Sequence, residues 1–293
     1  MKRWLLSAVT AAAIGGATIA AAHATSPHHG TGAVREPTEK EKDLLYNADQ
    51  ILQRRCLQRF GFKLWPVPRH PLPEDREFPY VIDDVTWARE HGYGSDMESR
   101  RAALRNSDPN HRYFVSLTPD QKKSMLAVVN GARPTGLEVR LPTGIVTGRS
   151  DRSCSAESDS RLYGDLKTWF RASEITESLT ELGRRQVAGD PRYAASVAQW
   201  SRCMREKRFS YQNPYAARAA FLLAGNSKKA GQEMETAVAE AACAASSGLG
   251  ATIHQLDGEY GAKLYRTYRS EVDSGHRIEL AALPRARAIV TQG

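Results

Sequence analysis

Cys56, Cys154, Cys203 and Cys243 are the side chains whose chemistry is most narrowed by where they stand in this sequence. None belongs to a C-x-x-C pair, so the redox motif, the zinc ribbon and C-x-x-C-H haem attachment all fail at the first step. A Cys-His hydrolase would need one thiol kept free, whereas four cysteines can all pair. Motifs built on the other reactive residue types are missing as well. G-x-S-x-G and S-x-x-K are absent, which removes the common serine acyl enzymes. H-E-x-x-H is absent, and His70, His91, His111, His254 and His276 are too scattered to form a local ligand pair. Neither G-x-G-x-x-G nor a P-loop occurs, so nothing points to a nucleotide. We expect no catalytic residue, no cofactor and no metal ligand.

Disulfides need an oxidising compartment, and the start of the chain points to one. MKRWLLSAVTAAAIGGATIAAAHA has a basic pair (Lys2, Arg3), an apolar stretch from Trp4 to Ala22 and the small-residue pattern Ala22-His23-Ala24. That is the layout of a secretory signal, residues 1–24, cleaved after Ala24. Removing it lowers the formal charge from +8 to +6 and leaves no later stretch apolar for long enough to span a membrane. The chain is expected to be secreted or otherwise extracytoplasmic, with association to the cell envelope. Its basic residues fall in dispersed groups, including Arg54-Arg55, Arg100-Arg101, Lys122-Lys123, Arg184-Arg185 and Arg202, Arg205, Lys207 and Arg208. Such charge suits an anionic envelope polymer or a partner protein as binding partner. Nucleic acid is not expected, because no reading motif is present.

The elements that must position the cysteines read as helices. Residues 25–37 are Ser, Thr, Gly and Pro rich and form a flexible lead-in that includes His28-His29. Thr38-Glu39-Lys40-Glu41 is a capping box, after which Leu44, Leu45, Ala48, Ile51, Leu52, Cys56 and Phe60 mark one helical face up to Gly61. Residues 63–85 hold five prolines and make an extended connection anchored by Trp65, Phe78, Tyr80, Val81 and Ile82. A second capping box at Ser95-Asp96-Met97-Glu98 opens a helix to about Asn106, and Thr118-Pro119 opens another to Gly131. LEVRLPTGIVT, Leu137 to Thr147, reads as a short ribbon turning at 142–144. Helical pattern resumes from Ser153 to about Ala188 with a break at 164–168, then starts again after Asp190-Pro191 and Asn213-Pro214. Residues 227–247 form an Ala-rich helix whose stripe is Met234, Val238, Ala241, Ala242 and Ala245. Ile253, Leu256, Tyr260, Leu264, Tyr268 and Val272 make a last helical stripe, and Pro284 with Arg285 and Arg287 suggests a frayed tail. The fold expected is mainly α, multi-helix, with one short β-ribbon and two disulfides. Its regions are 38–188, an N-terminal helical region, 189–280, a C-terminal helical region, and 281–293, a basic tail.

RCLQRFGF, Arg55 to Phe62, returns in altered form as RCMREKRF, Arg202 to Phe209. Four cysteines permit three connectivities. The echo favours Cys56 with Cys154 and Cys203 with Cys243, each early helix tied to a later one.

Carboxylates invite a wall-lytic reading, with a glutamate at a helix end as general acid on a glycosidic bond. Glu98-Ser99 resembles the Glu-Ser pair of lytic transglycosylases, but the dipeptide recurs at Glu157-Ser158 and Glu177-Ser178 and so carries no weight. Trp65, Trp87, Trp169 and Trp200 offer stacking surfaces or core anchors, with Trp200 assigned to the core. The Trp-x-x-Cys-Met helix (Trp200 to Met204), the Asn-Pro turn and the later EAACAASSGL resemble a loose group of exported bacterial proteins without an assigned activity. SLTPDQKKSMLAVVNG and SCSAESDSRLYGD extend the resemblance, which implies export and paired cysteines. The function expected is that of an exported, non-enzymatic helical protein binding a partner protein, peptide or anionic envelope polymer. The alternative is a cell-wall-active hydrolase of unfamiliar sequence.

Overall fold

A computed structural model describes residues 34–222 and 230–293. The signal pattern and the His28-His29 pair lie outside these residues. Among the described residues there are twelve helices and one two-stranded antiparallel sheet. None of the helices is long and apolar enough to cross a membrane. The contacts divide the chain into two units of interleaved segments, where the sequence suggested consecutive regions 38–188 and 189–280. One comprises residues up to Pro71, Asn106–Ser178 and Tyr268–Gly293; the other comprises Leu72–Arg105 and Leu179–Thr267.

In the first unit, α1 (Glu39–Arg59) starts at the Thr38 capping box, with Glu41 N–H donating to the Thr38 hydroxyl and the Glu41 carboxylate accepting from Thr38 N–H. The helix α4 (Pro109–Ser116) is capped by Asp108, and α5 (Pro119–Asn130) by a Thr118 and Gln121 box ending at Gly131. Strands β1 (Gly136–Arg140) and β2 (Val146–Ser150) pair antiparallel, in the expected ribbon. Helix α6 (Cys154–Tyr163) ends at Gly164, and α7 (Leu166–Ala188) begins inside the expected break at 164–168, which is thus shorter than the pattern suggested. The first unit also holds α12 (Arg269–Thr291), which runs through Pro284. The expected frayed tail is therefore corrected: Ala282, Leu283 and Ala286 are buried in one cluster with Leu45, Ala48 and Leu52 of α1. That burial offsets the helix-interior proline, which costs about 3 kcal/mol by itself. Arg54 and Arg55 then donate to the Gly293 and Gln292 carbonyls at 3.0 and 3.2 Å.

The second unit contains α2 (Val85–His91), capped by Asp84, and most of α3 (Ser95–Ser107). Its other helices are α8 (Pro191–Glu206), α9 (Pro214–Leu222), α10 (Ala230–Ser246) and α11 (Leu249–Thr267). The final apolar stripe is interrupted at Tyr268, between α11 and α12, so it is not one helix. On α10 the expected stripe is also corrected. Met234 is 40% exposed and Ala245 is exposed, while Glu233, Thr236, Ala237, Glu240, Ala241, Cys243 and Ala244 are buried.

The sulfurs pair as Cys56–Cys154 and Cys203–Cys243. The sequence echo has a backbone cause. At the end of α1, Phe62 N–H donates to Leu57 C=O (3.0 Å) and Gly61 N–H to Gln58 C=O (3.1 Å). At the end of α8, Phe209 N–H donates to Met204 C=O and Arg208 N–H to Arg205 C=O, both at 2.9 Å. Each is a Schellman stop, and in each the phenylalanine packs into the cluster that buries its bonded partner, Leu57 or Met204. The residue in the left-handed position is Gly61 (φ 79°) in one and Arg208 (φ 70°) in the other. A side chain there is disfavoured. Arg208→Gly is expected to raise unfolding stability by about 1 kcal/mol without changing the disulfides, as read by denaturant titration at constant m-value. Destabilisation would mean that the arginine side chain makes a stabilising interaction of its own.

Candidate functional site

Helix α10 carries two carboxylates seven residues apart, hence on one face, and both are buried: Glu233 is 6% exposed and Glu240 0%. They supply acceptors to a stretch of chain that has no sheet to bond with. Glu240 accepts from Ile82 N–H at 2.9 Å and from the Tyr93 hydroxyl at 2.7 Å. Glu233 accepts from Tyr93 N–H at 2.9 Å, from Ser95 N–H at 3.3 Å and from the Ser95 hydroxyl at 2.6 Å. The expected capping box at Ser95 is thereby corrected, because its hydroxyl is used by Glu233 and Ser95 is already helical. Gly92 sits between, at φ 60°, and a Cβ there would meet the Glu233 carboxylate at 2.9 Å. Just under one turn beyond Glu240, the Cys203–Cys243 bond ties α10 to α8, and Trp200 Nε1–H of α8 donates to the Glu240 carbonyl at 3.4 Å. The disulfide and this bond set the rotation of α10, and so the direction of its carboxylates.

Burial pushes the Glu240 carboxyl up to about 7, against the opposing pull of its two hydrogen bonds and of the Arg218 charge. Burial, and then the neighbouring Glu240, drive the Tyr93 phenol far above its ordinary range.

Next to this clamp lies a cavity of about 170 Å³. Its apolar wall is Phe78, Ile82, Trp87 and Tyr93, with Phe78 and Trp87 rings 4.7 Å apart. Five charged side chains also line it: Arg76, Glu77, Glu98, Arg101 and Arg218. Three of them already have partners. Arg76 pairs with Asp84 (2.5 Å), Arg101 with Asp75 (2.5 and 2.6 Å), and Glu77 with Arg184 (2.5 Å). Half-buried Arg218 and exposed Glu98 form no ion pair among the described residues, although both face the same cavity. Arg218 exerts its charge on Tyr93 and Glu240, and Glu98 exerts its own on Arg101. A larger cavity, about 250 Å³, lies in the first unit beside Asp43, Asn47 and His70. Its arginine, Arg69, is held by Glu39 and Asp43 and offers no free charge.

The residues singled out from sequence are distributed as follows. Cys56 and Cys154 lie in the first unit, Cys203 and Cys243 in the second. Trp87, Trp169 and Trp200 are buried, and only Trp65, 38% exposed, remains at the surface. Its ring stands edge-on to Tyr113, and Asn110 bonds both its N–H and its carbonyl. Of the repeated Glu-Ser pairs, Glu157 is held in its ionised form chiefly by the Arg59 guanidinium, opposite to what a general acid needs. Several basic clusters serve internal contacts: Arg100 bonds Glu74, Arg185 bonds Glu181 and Arg205 bonds Ser201. Among the described residues no group of three or more His, Cys, Asp or Glu side chains could hold a metal ion. The first unit does gather Asp49, Asp159 and Arg149. Burial and the Asp159 charge raise Asp49 to about 6, the Ser158 hydroxyl bonds it, and Arg149 pairs with Asp159. These residues line neither cavity. Sequence reasoning missed Arg218, Glu233 and Glu240. The available signal was a pair of glutamates at i and i+7 on an otherwise alanine-rich helix face.

No family model matches the chain, and no curated protein or solved structure is similar to it.

The groups facing the Glu240 carboxylate are Ile82 N–H, the Tyr93 hydroxyl and, at longer range, Arg218. Its folded-state pKa lies above the ordinary carboxyl value, so between about pH 4.5 and about 7 the folded state keeps a proton that the unfolded state releases. Its contribution is thus present at low pH, falls as pH rises through that window, and stays lost above it. Glu240→Gln removes this dependence while keeping an acceptor for Ile82. Relative to wild type, the variant is expected to gain on the order of 3 kcal/mol of unfolding stability between pH 5 and pH 8. Parallel denaturation curves at the two pH values test this; an unchanged difference would mean that Glu240 is not a buried, perturbed acid.

Proposed function

We propose that this is an exported, non-enzymatic helical protein that binds a partner protein, peptide or anionic envelope polymer by seating a carboxylate on Arg218. The observation that carries the reading is a half-buried arginine that forms no ion pair among the described residues, in a cavity where the other arginines are paired. An arginine fork matches a carboxylate in two parallel hydrogen bonds, and aromatic walls exclude water around them. Two disulfides are the chemistry of an oxidising compartment, and the pattern of residues 1–24 supports export into one. The formal charge of +6 that remains after removal of residues 1–24 supports attraction to a polyanion.

The hydrolase alternative lacks comparable support. A general acid must touch its substrate, but the carboxyl raised to about 7 in this unit, Glu240, is fully buried and does not line the cavity. Of the two glutamates that do line it, Glu77 is taken up by Arg184, and Glu98 is solvent-exposed beside the Arg101 charge.

Purified cell wall is a suitable anionic probe. Wild type and the exposed control Arg202→Gln are expected to co-sediment with it and release no soluble fragments. Arg218→Gln is expected to bind at least tenfold more weakly, with the same circular dichroism spectrum. Binding should fall steeply towards about 0.5 M salt, where screening acts within a few Å. Release of soluble wall fragments, or sedimentation indifferent to Arg218→Gln, would contradict the proposal.

A further inference from the structure

The cavity beside Arg218 carries a more specific reading, which rests on the assignment of Arg218 as the carboxylate site. The three ion pairs around it, Arg76–Asp84, Arg101–Asp75 and Glu77–Arg184, each cancel. Among the described residues, what is left facing the space is one cation, Arg218 on α9, and one anion, Glu98 on α3. Among the described residues no ion pair within 4.0 Å joins them, and their charges act on different groups, Arg218 on Tyr93 and Glu240 and Glu98 on Arg101. The same cavity has an apolar wall with Phe78, Ile82 and Trp87. A simple anion would satisfy Arg218 but leave Glu98 facing a negative ligand. A simple cation would do the reverse.

We infer that the cavity binds a compact zwitterion, an apolar or aromatic α-amino acid, with its carboxylate on Arg218, its ammonium towards Glu98 and its side chain against the aromatic wall. Size agrees with this. The cavity holds about 170 Å³, below the usual range for drug-sized ligands and close to the roughly 150 Å³ that accommodates a benzene ring in an engineered protein cavity. Matching both charges also avoids the cost of leaving either one unpaired as the ligand displaces water. Both charged residues stand on helices, which fixes their separation in the unliganded protein.

Isothermal titration of the mature protein with four compounds tests the inference: L-leucine, L-phenylalanine, N-acetyl-L-leucine, which lacks the ammonium, and L-leucinamide, which lacks the carboxylate. At least one of the two free amino acids is expected to bind. N-acetyl-L-leucine and L-leucinamide should each bind at least tenfold more weakly than L-leucine, a loss of about 1.4 kcal/mol. Glu98→Gln should make L-leucine and N-acetyl-L-leucine equivalent. Arg218→Gln should abolish binding of both, while Arg218→Lys, which keeps the charge without the fork, should retain part of it. Equal binding of L-leucine and N-acetyl-L-leucine by the wild type would overturn the zwitterion while leaving the carboxylate site and the wall-binding result intact. Absence of heat with every compound up to about 10 mM would also overturn it. Loss of wall sedimentation is read separately and bears on the broader proposal.

Discussion

A carboxylate taken out of water must find donors, and a stretch of irregular backbone must find acceptors; in the second unit each need answers the other. Glu233 and Glu240 of α10 are buried, and they accept from the backbone at Ile82, Tyr93 and Ser95 and from the hydroxyls of Tyr93 and Ser95. Without those acceptors the backbone N–H groups of Ile82 and Tyr93 would be buried and unsatisfied, at about 1–3 kcal/mol each. The arrangement also places the cavity, because Ile82 and Tyr93 line it and Phe78 and Trp87 lie on the same strapped segment. Alanines at 237, 241 and 244 of α10, all fully buried, let neighbouring chain approach the helix closely.

The disulfides act on this frame from outside the cavity. Cys243 follows Glu240 by less than one turn, so its bond to Cys203 restricts how α10 turns against α8. In the first unit Cys56 of α1 is joined to the first residue of α6, where Asp49 of the same helix also receives the Ser158 hydroxyl. Linking residues 98 and 40 positions apart removes chain entropy from the unfolded state, of order 4 kcal/mol per bond in the simplest treatment. Each bond starts near a Schellman stop, which halts the helix within one or two turns of its cysteine and directs a phenylalanine back onto the core.

Much of the fold was legible because it rests on local signals. The capping box at Thr38, the helix starts at Thr118-Pro119, Asp190-Pro191 and Asn213-Pro214, and the ribbon turn all act over a few residues, and each is found where the pattern placed it. The misreadings have a common cause in long-range contact. Ser95 has the spacing of a cap but is claimed by Glu233, 138 residues away in sequence. Met234 looks like core and Glu233 like surface, yet the donors of a distant loop reverse the two. Pro284 reads as a breaker, while burial of Ala282, Leu283 and Ala286 keeps the helix intact. The four cysteines were legible as disulfides. The cavity was not, since Arg218 stands out only once Arg76 and Arg101 are seen to be paired.

Native-state hydrogen exchange at single-residue resolution tests the clamp most directly. Ile82 and Tyr93 lie outside the regular helices, so without the clamp their amides would exchange like those of an ordinary loop. The account predicts that both are protected to the same extent as the amides in the middle of α10, because opening them requires breaking a bond to a buried carboxylate. Exchange of Ile82 and Tyr93 at loop rates, with α10 itself protected, would contradict it.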